Sequence, residues 1–123
     1  EGAFDFQTQL VGEDELYKKV LKTSKSWKHS ENIMYVVGAT KAEYFREIRQ
    51  IVPNSFLLVP GVGAQGGSLI DVCKFGLNSQ VGLLINSSRG VIYASNKIDF
   101  AQAARKEALK LQKEMEVILS FNF

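Results

Sequence analysis

The sequence predicts an α/β protein built on a parallel sheet, and three observations carry that expectation. Three short uncharged runs, "IMYVVGA" (33–39), "SFLLV" (55–59) and "VGLLI" (81–85), are apolar at consecutive rather than alternate positions, as in strands covered on both faces. Each run is followed by a segment whose apolar residues recur at helical spacing. The turns after the second and third runs are dense in glycine and small polar residues. Strands alternating with helices in this way pair in parallel and are joined by crossovers.

In chain order, "EDELYKKVLKTSKSW" places Leu16, Val20, Leu21, Ser24 and Trp27 on one helical face with lysines opposite, and "KHSEN" breaks the pattern. Glu13, Asp14 and Glu15 sit where a helix dipole favours negative charge, a simpler reading than a metal site or an acid/base pair. After the first strand, Thr40 and Glu43 have capping-box spacing and open a helix to about Val52, with Ala42, Phe45, Ile48 and Val52 inward. Pro53-Asn54 stops it. After the second strand, Ser68 caps the short helix "LIDVCKF", which Gly76 ends in the C′ position. The last helix, about Asp99 to Leu119, buries Phe100, Ala104, Ala108, Leu111, Met115 and Ile118. No linker or internal repeat interrupts residues 1–123, so one domain is expected. Three strands are few for a parallel sheet, which would keep two open edges and an uncovered face. With a first residue that is Glu, the expectation is a piece of something larger, or a half that must pair.

Composition narrows the functional classes. A chain of 123 residues with 46% hydrophobic and 23% charged residues is that of a soluble globular domain. A net charge of +2 gives no argument for a nucleic-acid or membrane partner. "EGAFDFQTQL" lacks the basic and apolar regions of a signal peptide, and the single cysteine, Cys73, fits a reducing cytoplasm. Cys73 lies on an apolar helix face as a small core residue. His29 has no Cys or carboxylate at ligand spacing, so no metal is expected.

Two turns attract chemistry. "PGVGAQGG" (60–67) gives up nearly all its side chains directly after a strand, a cost expected where backbone takes unusual dihedrals or approaches a ligand such as phosphate. It contains Gly61-x-Gly63-x-x-Gly66, formally a dinucleotide fingerprint, but the next strand ends in Asn86-Ser87-Ser88-Arg89 with no carboxylate for a ribose. An arginine there leaves an NADP reading open, and a tight turn without a ligand is the other alternative. Gln65 is the one long polar side chain in the loop. In the second turn Arg89 offers a guanidinium that grips phosphate oxygens bidentately, near free N–H groups at the start of a helix-like continuation "VIYAS". Consecutive parallel strands usually neighbour each other, so both turns should meet at one carboxyl edge. In an eight-stranded (β/α) barrel, the loops after the last two strands often bind phosphate.

"MYVVGATKAEYFREIRQIVPNSFLLVPGVGAQGG" followed by "LLINSSRGVIYAS" resembles the C-terminal part of the orotidine 5′-phosphate decarboxylase family, in its longer bacterial subgroup. "EGAFDFQTQ" is similar to that subgroup's segment just after the fifth barrel strand, so the resemblance spans the chain. It implies a (β/α)8 TIM barrel, of which these residues are the last three β/α units plus a preceding helix. It also implies a cytoplasmic homodimeric enzyme that converts orotidine monophosphate to UMP without metal or organic cofactor. Carried over by motif, Arg89 holds the phosphate, backbone near Ser88 and Gly90 helps, and Gln65 reaches phosphate and pyrimidine from a closing loop that Gly63 and its neighbours make pliable. One departure matters. The family's D-x-K-x-x-D motif, whose lysine protonates the carbon that loses CO2, occurs nowhere in this chain, so no catalytic residue is expected here. A stand-alone phosphate-binding or structural half-barrel is the alternative.

Overall fold

The computed structural model describes residues 5–63 and 66–121. A small hairpin pairs β1 (Leu10–Val11) with β2 (Asp14–Glu15) and turns at Gly12, whose φ of 70° suits a residue without Cβ. Helix α1 (Leu16–Lys25) follows directly. Three strand–helix units come next: β3 (Tyr35–Val36) with α2 (Tyr44–Ile51), β4 (Leu57–Pro60) with α3 (Leu69–Gly76), and β5 (Leu83–Asn86) with α4 (Ser88–Ile92) and the long α5 (Phe100–Ser120). The three strands form one parallel sheet in the order β3-β4-β5. The expected fold class and strand–helix alternation therefore hold, but the hairpin was not expected and takes Asp14 and Glu15 out of the first helix.

Burial shows how the sheet is used. Leu57 and Val59 of β4 and Leu83 of β5 are buried against Phe45, Ile48 and Val52 around α2, Leu69, Val72 and Cys73 of α3, and Ile118 of α5. The opposite face carries the register row Val36–Leu58–Leu84, in which Val36 is 70% and Leu84 45% exposed. Two-sided burial was expected and is met on one side only. The helices cover one face, and no other strand or helix among the described residues covers the second.

Several local expectations need correction. Thr40 and Glu43 do not form a capping box: residues 39–41 make a 3-10 turn and α2 starts at Tyr44 without a side-chain cap. Ser68 does cap α3, its Oγ accepting from the Asp71 N–H at 3.2 Å. Gly76 is the last residue of that helix and lies against the core. A Cβ there would come within 2.7 Å of Phe45 Cδ1, so close packing explains the glycine. Val20, Trp27, Phe100 and Ala108, expected inward, are exposed, whereas Leu21, Ser24 and Ile118 are buried. The acidic cluster is tied to α1 by ion pairs, Asp14 to Lys22 at 2.6 Å and Glu15 to Lys18 at 2.9 Å.

Candidate functional site

The register of the sheet brings the two turns together. Pro60, the last residue of β4, lies opposite Asn86, the last residue of β5, so both following loops leave from adjacent points on the carboxyl rim. Between them opens a pocket of about 180 Å³, lined by Pro60, Gly61 and Val62 on one side and Asn86, Ser87, Ser88, Arg89 and Gly90 on the other. Among the described residues no carboxylate lines it.

The glycine loop closes on itself. Gly61, Gly63 and Gly66 take φ of 92°, 76° and 83°, which an L side chain adopts only at a cost. Gly63 N donates to Gly67 O at 3.0 Å, Gly66 N to Gly63 O at 2.8 Å, and Gly67 N to Gly61 O at 3.2 Å. Gly67 has another reason to be glycine: a Cβ there would collide with the Cβ of buried Ala39 and lie 2.7 Å from Gly61 O. Three of the loop's amides are thus spent internally, against the expectation that its bare N–H groups would mainly serve a ligand.

The second loop supplies the free donors. Arg89 is exposed at the start of α4, and its guanidinium has no hydrogen bond or ion pair with another described residue. Ser88 Oγ donates to Asn86 Oδ1 at 2.9 Å. Gly90 leaves room for the Ser87 hydroxyl, which would lie 3.0 Å from a Cβ at that position. The helix "VIYAS" is shorter than expected, for α4 ends at Ile92.

Of the residues singled out from sequence, Ser88, Arg89 and Gly90 share this pocket, and Gly63 lines an adjoining groove that also reaches Gly90. Gln65 lies outside the described residues. Asn86 was not singled out as a ligand-facing group, because a polar residue ending a strand reads as a simple exit to solvent. Cys73 is buried as expected, and burial pushes its thiol above the ordinary range. His29 Nδ1 stands 3.4 Å from Glu31. Among the described residues there is no group of three metal-ligating side chains and no helix long and apolar enough to cross a membrane.

Three parallel strand–helix units whose last two loops frame one pocket at the carboxyl rim have the local architecture of a (β/α)8 barrel segment. No family model matches the chain. It is 66% identical, over all 123 residues, to an orotidine 5′-phosphate decarboxylase of Flavobacterium johnsoniae, and 65% identical over 115 residues to one of Christiangramia forsetii. It covers 45% and 42% of those proteins, so it spans less than half the length of the curated relatives it matches. The solved structure of Leishmania donovani OMP decarboxylase superposes with a TM-score of 0.76 at 33% identity, covering 96% of this chain and 44% of that one. Along its whole length the chain is similar to part of these orotidine 5′-phosphate decarboxylases.

Proposed function

We propose that residues 1–123 are the C-terminal half of an orotidine 5′-phosphate decarboxylase barrel and supply its phosphate subsite. In this reading the complete protein is a carbon–carbon lyase that converts orotidine monophosphate to UMP and CO2 in pyrimidine biosynthesis, without metal or organic cofactor. The observation that carries it is the convergence of the Gly61–Gly67 loop and Arg89 on one pocket without a carboxylate, with the guanidinium uncommitted. Barrels often hold phosphate at the loops after their last two strands, which supports reading β4 and β5 as those strands. Arg89 grips the dianion, backbone at Ser88 and Gly90 adds N–H donors, and Gly63 shapes the loop from which Gln65 reaches the ligand. Phosphate contacts far from the reacting carbon drive loop closure and water exclusion, so their loss lowers turnover as well as affinity.

The D-x-K-x-x-D motif is absent from the chain, so the proton donor comes from residues outside it. The exposed Val36–Leu58–Leu84 row then faces the barrel interior that the remaining strands complete. The complete enzyme is a cytoplasmic homodimer in this reading.

In the complete polypeptide, Arg89→Ala should lower kcat/KM for orotidine monophosphate by about 10- to 100-fold, the loss of one charged hydrogen-bonding group. Unchanged kinetics would remove Arg89 from the site. The isolated 123-residue chain should release no CO2. Decarboxylation by that chain alone would overturn the division of labour and favour a different catalytic group.

A further inference from the structure

We infer that Asn86 is a further binding residue of the pocket, donating from Nδ2 to a ligand phosphate oxygen while Ser88 holds the amide in orientation. This rests on the phosphate reading above and goes one residue beyond it. Asn86 closes β5, lines the pocket beside Arg89, and shares a strand face with Leu84, the face the helices leave open. Its Oδ1 accepts the Ser88 hydroxyl proton at 2.9 Å. An amide whose oxygen is so occupied has a fixed orientation, and its two Nδ2 protons have no partner among the described residues. The same bond spends the one proton of Ser88, so the side-chain donor passes from the serine to the asparagine. Arg89, three positions on, approaches from α4 while Asn86 approaches from the strand tip. A phosphate has oxygens enough to take both.

The competing role for this pair is purely local, an Asx-type turn that shapes the exit from β5. Asn86→Asp separates the two. A carboxylate keeps, and even strengthens, the acceptor for Ser88 Oγ, yet it removes the donor and sets a negative charge against the anion. The complete polypeptide is titrated by calorimetry with UMP and, separately, with inorganic phosphate. For both ligands Asn86→Ala should bind about 10-fold more weakly than wild type, and Asn86→Asp more weakly still. The deficit of the aspartate variant relative to wild type should shrink between about pH 8 and about pH 5, as the ligand phosphate passes from dianion to monoanion and its repulsion by the carboxylate falls.

Wild-type affinity in Asn86→Asp would overturn the proposal, whatever the alanine variant does to folding. A loss confined to UMP would overturn the assignment to phosphate and point to the sugar or base. Arg89→Ala is the control for the parent reading. If it loses binding while both Asn86 variants keep it, only the Asn86 inference falls. If it also binds like wild type, the phosphate reading falls with it.

Discussion

The two rims of the sheet each carry an arginine, and the two are used in opposite ways. At the amino rim, Arg49 of α2 donates from Nε to Gly76 O at 2.6 Å, from one terminal nitrogen to Ser55 O at 2.6 Å, and from the other to Gly82 O at 2.8 Å. It thereby ties the end of α3 to the approaches of β4 and β5, and partial burial lowers its pKa from the ordinary value. No carboxylate is needed, because a planar fork of five donors can be satisfied by carbonyls. At the carboxyl rim, Arg89 has five donors and no partner among the described residues. One end of the sheet is closed by its own polar groups, and the other is left with donors to offer. Such an asymmetry is expected of a barrel whose amino face serves stability and whose carboxyl face serves ligands.

Substitutions at the two rims should therefore separate stability from binding. Arg49→Ala should have the largest effect on folding, about 3 kcal/mol, because several half-buried carbonyls lose a charged donor together. Urea unfolding measures it, and Arg49→Lys should recover little because a single ammonium cannot span the fork. By contrast, Arg89→Ala should change the unfolding free energy by less than about 0.5 kcal/mol. Gly67→Ala comes next, at about 2 kcal/mol, since its Cβ has nowhere to go beside Ala39 and Gly61 O. Gly63→Ala should cost about 1 kcal/mol, from the left-handed backbone alone, as no described residue lies within 4 Å of its Cβ. One further effect has the opposite sign. Val81, a β-branched residue at φ 68°, sits in a tight turn closed by Gly82 N to Gln80 O at 2.9 Å. Val81→Gly should raise stability by about 0.5 kcal/mol, the relief of strain less the entropy that glycine loses on folding. An unchanged or lower melting temperature would show that the turn holds valine without strain.

Much of this asymmetry could be read before any coordinates. Apolar runs marked all three strands, and their order fixed which two turns would be neighbours. Arg89 and the glycine loop stood out because both residue types are costly without a purpose. Arg49 did not. An arginine on an amphipathic helix reads as a solvated surface residue, and its partners are carbonyls whose positions come only from the fold. The exposed Val20, Trp27 and Phe100 were misassigned for a related reason. Helical periodicity reveals an apolar face without saying whether this stretch of chain or another segment covers it. Thr40 and Glu43 had the spacing of a cap, but residues 39–41 tighten into a 3-10 turn that takes Thr40 out of the N-cap position. Gly76 was recognised as special and given the wrong cause, since a glycine that ends a helix and one that admits a phenyl ring look alike in sequence.

The most direct test of the proposed phosphate site is to follow backbone amide resonances of the complete polypeptide while UMP is added. Gly61, Gly63, Ser88, Arg89 and Gly90 should shift together and saturate with one affinity, while Ser55, Gly76 and Gly82 at the Arg49 rim stay put. Shifts centred on that amino rim, or none at Arg89 and Gly90 at saturating UMP, would contradict it.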